Sequence, residues 1–241
     1  MFRSASLALV ALALAAPALA AQDPAPVVTK ITADFGYVQA AGNSQVTTTS
    51  VGQKLTQTRG RLGVEQTFNF VYGEQEGVVN TNFLRVGLRG DYKLGGHFAA
   101  FASVAFDRNS FAGIERRFEE NLGISWRAIG APRDTLSVEV GASVTQQRST
   151  AGVVQDFPAG RAAFAYRHLF SPTSYLLQTV EAIPNFKDTE DFRVNTETAV
   201  VAPISARIGL KLAYVVRFDH LPEPGFQKTD RIFVTGVQIT F

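Results

Sequence analysis

The 241-residue sequence contains no cysteine. No disulfide can staple the fold, and no thiolate can act as nucleophile or metal ligand. Histidine is almost as scarce, with three copies, which leaves few ways to build a catalytic triad. Long apolar runs are missing beyond the N-terminus. The longest, "FAAFASVAF" at 98–106, has about half the ~20 residues of a membrane-spanning helix. Charge of one sign is lacking too: 23 Lys and Arg face 21 Asp and Glu, a formal net charge of +2. That balance gives no argument for a nucleic-acid partner. Helical periodicity is nearly absent. A chain of this kind enters a membrane only as a closed barrel, because in lipid every backbone polar group must be paired.

What is present begins with a leader. Arg3 supplies a basic start, "ASLALVALALAA" a short apolar segment, and Ala18-Leu19-Ala20 a small-x-small end that suits a signal peptidase. Cleavage after Ala20 is expected, so residues 1–20 read as a signal peptide and 21–241 as one exported domain.

Period-2 alternation then runs almost to the end. It predicts an all-β fold, an antiparallel transmembrane β-barrel of about twelve strands of the outer-membrane type. The expected strands are 29–41, 45–58, 61–73, 80–94, 97–108, 116–129, 135–148, 157–170, 175–186, 191–202, 205–218 and 229–241. Their length exceeds the roughly 5–6 residues usual in soluble sheets and suits the ~9–11 that cross a bilayer obliquely. Connections alternate as well. "TRG", "LGG", "GAPRD", "SPT" and "API" are short, while "GEQEGVVN", "DRNSFAGIE", "RSTAGVVQ", "NFKDTED" and "DHLPEPGFQK" are longer and more polar, as barrel turns and outer loops are. "AAGNSQ" is the shortest of the second set.

The two faces differ in chemistry. Leu62, Val64, Phe68 and Phe70 share one face, as do Leu122, Ile124 and Trp126, and Leu210, Leu212 and Tyr214. The other face carries Arg61, Glu65, Arg85, Arg89, Asp91, Lys93, Arg117, Glu119, Arg127, Glu139, Arg161, Arg167, Arg193, Glu197, Arg207, Lys211 and Arg217, spaced by Gly and Ser. A soluble sandwich or lipocalin-like barrel has the same alternation turned inside out. Three features favour the membrane. Strand length is one. Apparent aromatic girdles are another: Tyr92, Trp126, Tyr175 and Phe241 at the turn side, with Tyr72, Phe106, Phe118 and Phe218 at the loop side. The third is the terminal Phe241, which resembles the C-terminal signature read by the outer-membrane assembly machinery. Two strands fit poorly: "FAAFASVAF" is apolar on both faces, and "YLLQTVEAI" puts Gln178 or Glu181 on an awkward side in either phase.

An early "GNS" turn, the strands "ENLGISWRAI" and "LSVEVGAS", and the tail "VVRFDHLPEPGFQKTDRIFVTGVQITF" together resemble the bacterial salt-induced outer-membrane-protein-like family, also called YdiY-like. Asp219, Pro222, Gly225 and Lys228-Thr229-Asp230 carry the most specific part. The resemblance covers nearly all of the chain after the leader. It implies an outer-membrane barrel and carries no catalytic residues across. The Trp-rich opening of some members is missing.

Enzymatic readings are weak. His168 and Ser171 lie on the turn side and are joined by a turn, unlike the Ser and His of a phospholipase on facing strands at the outer rim. Asp219-His220 lacks a second carboxylate motif, and His97 suggests nothing. The acidic loops with Glu74 and Glu76, and with Asp188, Glu190 and Asp191, lack calcium-loop spacing and read as hydrated acids. No enzyme activity, metal or cofactor is expected. The partners expected are outer-membrane lipid and lipopolysaccharide, and the assembly machinery through Phe241. The inward charges carry the functional expectation: a narrow passive pore with weak anion preference, lined by Arg85, Arg89, Arg127, Arg161, Arg207 and Arg217 with Glu65, Glu139 and Glu197. Pairing of those charges would instead give a closed, salt-bridged structural barrel. No long inward-folding loop is expected, so selectivity would rest on wall residues.

Overall fold

A computed structural model of the chain describes residues 26–40 and 46–241. The expected leader and most of the "AAGNSQ" link lie outside the described residues. Twelve strands follow one another: β1 Val28–Ala40, β2 Val46–Arg59, β3 Leu62–Gln75, β4 Val78–Gly95, β5 Phe98–Asn109, β6 Ile114–Gly130, β7 Asp134–Ser149, β8 Val154–Leu169, β9 Tyr175–Pro184, β10 Phe192–Pro203, β11 Ile208–Asp219 and β12 Thr229–Thr240. Each pairs antiparallel with the next and β12 returns to β1, so the barrel is closed. This is the architecture the alternation predicts. "GEQEGVVN" corrects one detail. It is a two-residue hairpin rather than a long loop, because Glu76 and Gly77 take positive φ (52° and 77°) and let β3 and β4 run on.

Closure is short. β1 and β12 share register only from Thr32–Thr240 to Phe35–Val237, where β1 and β2 pair along the whole of β1. Ile31 and Phe241 then exchange two backbone hydrogen bonds of 3.1 and 2.9 Å. At the other end of the seam Gly36 and Gly236 face each other. A Cβ on Gly36 would lie 2.2 Å from the Thr235 carbonyl oxygen, and one on Gly236 2.3 Å from that of Phe35. The terminal residue thus ties the last strand to the first.

The polarity is inside out for water. Leu62, Leu88, Leu122, Val140 and Phe233 stand on the outer wall and are more than half exposed. The most buried side chains are as often polar or charged as apolar, among them Asp107, Glu119, Thr145, Gln147 and Arg193. A soluble barrel would reverse this, so the outer surface is a lipid-facing belt. Trp126 stacks on Phe98 (6.5 Å) toward the turns, and Phe106 meets Phe118 (5.0 Å) toward the loops.

Tyr175 departs from the expected girdle. It points inward, where its hydroxyl donates to Gln238 Oε1 at 2.8 Å. The phase of β9 is set by Glu181, which must reach inward to Arg161 (2.7 Å), and Tyr175 shares that parity. Gln178 is consequently turned outward, but its amide is used. It accepts from Thr198 Oγ1 at 2.5 Å and donates to the Thr179 carbonyl at 3.1 Å.

Candidate functional site: the lumen

The barrel interior holds three groups of charges. The first centres on Glu119 of β6, whose side chain is 3% exposed. Arg85 of β4 donates to it at 3.0 Å and to Asp107 of β5 at 2.8 Å. From four strands away, Arg193 of β10 reaches Glu119 at 2.7 Å and Thr145 at 3.1 Å. Arg117 completes the group through Gln147 (2.8 Å), with Asp107 at 3.9 Å. Charges this deep require such pairing, since desolvation alone would penalise them heavily.

The second group lies nearer the turns and is built on Phe101 of β5. Its ring is 2% exposed, and the Arg89 and Arg161 guanidinium carbons sit 4.2 and 5.2 Å from its centroid. Arg89 also binds Asp91 (2.8 Å) and Glu139 (2.7 Å). Arg161 binds Glu139 and Glu181, both at 2.7 Å. The facing pair Gly123 and Gly141 makes room: a Cβ on Gly123 would lie 2.9 Å from the Phe101 ring. This resolves the puzzle of "FAAFASVAF". Its inward aromatic is a platform for two arginines.

The third group closes the turn side. Lys211 of β11 binds Asp34 of β1 at 2.9 Å, Gln238 donates to Asp34 at 2.8 Å, and Tyr175 donates to Gln238. Lys211 also lies 3.8 Å from Glu197, and Lys54 pairs with Glu65 at 2.8 Å. Arg217 stands apart. It is in no ion pair among the described residues, and its guanidinium carbon lies over Phe83, 3.6 Å from the ring centroid.

Around these groups the lumen retains space. A central cavity of about 310 Å³ is lined by β1–β6 and β9–β12, among them Asp34, Phe83, Arg85, Glu119, Lys211 and Arg217. Toward the loops it meets a 50 Å³ cavity that shares Asp107, Arg117, Arg193, Asn195 and Arg217. Toward the turns a separate vestibule of 210 Å³ opens beside Tyr175 and Gln238. Contrary to expectation, a loop does fold inward. In the β11–β12 connection, 220–228, Glu223 accepts from Gln147 Nε2 at 3.0 Å, and Pro222, Gln227 and Lys228 line the 50 Å³ cavity. Gln147 is a buried wall residue, and its donor group supplies the loop with an anchor.

The expected lining residues are placed unevenly. Arg85, Arg89, Arg161, Arg217, Glu65, Glu139 and Glu197 all point into the lumen. Arg127 keeps inward parity but is exposed at the turn-side end, beside the bulge at Arg127–Ile129. Arg207 is not on the wall. Ser205 Oγ accepts from the amides of Arg207 and Ile208, which ends the turn there and starts β11 only at Ile208. Asp34, Asp107, Glu181 and Phe101 were missing from the expected set; the phase of the strands that carry Phe101 and Glu181 is ambiguous in the sequence and is settled by Arg89, Arg161 and Glu139.

The histidines do other things. His168 Nδ1 lies 2.8 Å from Asp134 Oδ1, which also accepts from Tyr166 at 2.7 Å, an outward-facing cluster at the turn side. Ser171 Oγ accepts from the Ser174 amide and shapes its turn. His220 stacks on Phe192 at 4.9 Å, and Asp219 accepts from the Leu221 amide. Among the described residues no group of acids and histidines is arranged to hold a metal ion.

A closed twelve-stranded barrel, apolar outside and charged within, defines a transmembrane barrel of the outer-membrane type. The chain belongs to the family described as "Protein of unknown function, DUF481", whose model matches residues 33–241. The YdiY-like resemblance agrees with that membership. Comparison with curated proteins finds no match. Among solved structures the NanC porin overlays with a TM-score of 0.54 at 10% identity, covering 86% of this chain and 98% of that one. An outer membrane channel from Pseudomonas putida F1 gives 0.49 at 10% identity over 93% and 98%. The translocator domain of the autotransporter NalP from Neisseria meningitidis gives 0.47 at 12% identity over 98% and 93%. At these identities the likeness is one of fold.

Proposed function

We propose that the protein is a narrow passive channel of the outer membrane with a weak preference for anions, and not an enzyme. The observation that carries this reading is the asymmetry of the lumen. Most of the buried ion pairs lie under β4–β9, while a 310 Å³ cavity lined by β1–β6 and β9–β12 leaves space beside them. Twelve strands lie between the roughly eight whose side chains fill the interior and the sixteen or more that leave a wide channel. Arg217 faces this cavity beside its cross-strand neighbour Asp230 but in no ion pair among the described residues, which favours anions in a narrow path. Supporting the location are the apolar belt, the aromatic girdles and the porin-like fold. The lipid and lipopolysaccharide of that membrane would be its surroundings. Phe241, exposed and tied to Ile31, remains available as an assembly signal. Planar-bilayer recording of purified protein tests the reading. Small steps of conductance are expected, with a reversal potential in a KCl gradient displaced toward chloride. A silent bilayer would overturn it.

One observation favours a second reading, a closed structural barrel. The 220–228 loop narrows the outer mouth to the 50 Å³ cavity, and Arg193–Glu119 crosses the lumen below it. A barrel that stays silent after the loop is loosened would belong to that class.

A further inference from the structure

The turn-side vestibule has a chemistry of its own. Three cations line its 210 Å³: Lys30 from β1, Arg167 from β8 and Arg207 from the β10–β11 turn. Among the described residues no acidic side chain lines it. Two side-chain acids of the turn side are committed elsewhere. Asp34 is held by Lys211 and Gln238, and Asp134 points outward to His168 and Tyr166. Three cations gathered round one water-accessible space repel each other unless something anionic joins them.

Arg167 sharpens the case. Its guanidinium is stacked over the Tyr175 ring, with the carbon 3.9 Å from the centroid, and Tyr175 is fixed by its own bond to Gln238. Stacking holds the planar fork in place but satisfies none of its N–H groups. The Arg167 Nε is buried and finds no acceptor among the described residues. A buried donor of this kind calls for an acceptor, and an orientated guanidinium fork matches the paired oxygens of phosphate or carboxylate. Ser205 adds a donor. Its oxygen accepts from two amides, which leaves the hydroxyl hydrogen free to point into the same space. The floor is the hydrogen-bonded chain Tyr175–Gln238–Asp34–Lys211, which separates this space from the central cavity. At 210 Å³ the space has room for a small hydrated anion.

We propose that the turn-side vestibule is a binding site for a small oxyanion, gripped by Arg167 and drawn in by Lys30 and Arg207. This gives the channel reading a ligand class and rests on it for the anion's route, though not for its binding. The site would concentrate oxyanions at one mouth, ahead of the Tyr175–Gln238 floor.

Isothermal titration of the refolded protein in a phosphate-free maltoside detergent, with sodium phosphate as titrant, tests it. Saturable binding is expected, weakened at least tenfold by Arg167→Gln and several-fold by the Lys30→Gln/Arg207→Gln double variant. Arg116→Gln, at the opposite end of the barrel, should bind as the unaltered protein does. Gel-mobility shift on heating shows whether each variant is folded. Absence of saturable phosphate binding, or an unchanged affinity in folded Arg167→Gln, would overturn the proposal. So would binding of dioctanoyl phosphatidylglycerol with none of free phosphate, which would make the site a lipid-headgroup site. Binding without conductance in a bilayer would sink the channel reading and leave the site standing. Conductance without binding would do the reverse.

Discussion

Arg193 of β10 reaches across the lumen to Glu119 of β6, Nη1 to Oε1 at 2.7 Å, with both side chains less than a tenth exposed. The two lie 74 positions apart in sequence and four strands apart round the wall, so only the curvature of the closed barrel brings them together. Removing one partner leaves a buried charge without compensation. Glu119→Gln should destabilise the barrel by about 3–5 kcal/mol. Glu119→Leu with Arg193→Met should recover part of that loss, because a buried pair replaced by apolar groups of similar volume is often neutral. Recovery stays partial because Arg85 also leans on Glu119. Urea titration of the protein folded into vesicles measures both. A Glu119→Gln midpoint equal to that of the unaltered chain would show that water already screens the pair.

The platform under Arg89 and Arg161 gives a steric test. At Gly123 an added methyl group would meet the Val140 carbonyl oxygen at 2.4 Å and the Phe101 ring at 2.9 Å. At Gly90, on the outer face of β4, a Cβ meets nothing within 4 Å. Gly123→Ala should therefore destabilise by roughly 1–3 kcal/mol through overpacking. Gly90→Ala should be neutral or stabilise by up to about 1 kcal/mol, since alanine loses less conformational freedom. The same urea titration decides it, and equal effects at the two sites would contradict the packing described.

Strand number, strand phase and the direction of most charges were legible because alternation is local: each residue's neighbours in sequence reveal its face. What was hidden depends on closure or on single turns. The partner of each arginine cannot be read from one strand, since Arg193 meets Glu119 and Arg89 meets Glu139 only across the barrel. Tyr175 looked like a girdle residue because β9 carries apolar groups in both phases, and Glu181 breaks the tie only once Arg161 is seen opposite. Arg207 seemed to continue β11, but the Ser205 hydroxyl holds it in the turn. The inward course of the last loop was hidden because its anchor, Gln147, belongs to another hairpin.

Arg217 separates selectivity from stability. It lines the central cavity, stacks on Phe83 and enters no ion pair among the described residues. Arg217→Gln removes a cation–π contact, worth up to about 2 kcal/mol when desolvated, and leaves its cross-strand neighbour Asp230 still bonded to Asn109 at 3.3 Å. Its urea midpoint should therefore move less than that of Glu119→Gln. Its reversal potential in a KCl gradient should move away from chloride. An unchanged reversal potential in a conducting variant would remove Arg217 from the ion path.

The β11–β12 loop supplies the remaining prediction. Glu223 is joined to Gln147 at 3.0 Å, and a Cβ on Gly113 would lie 2.8 Å from Glu223 and from the Phe226 ring, so the loop is seated tightly on the β5–β6 connection. Glu223→Ala cuts the bond to the wall, and Gly113→Val pushes the loop off its seat as well as straining a residue at φ 76°. Both changes lie at the mouth and leave the ion pairs of Glu119 and the Phe101 platform in place, although Gln147 also accepts from Arg117. Each should raise single-channel conductance or the fraction of time spent open, with Gly113→Val giving the larger effect. Stability should fall by no more than about 1–3 kcal/mol for the lost hydrogen bond in Glu223→Ala. Conductance unchanged in both variants would place the narrowest point deeper, at the Arg193–Glu119 crossing. In that case Glu119→Gln/Arg193→Gln, not a change in the loop, should widen the path.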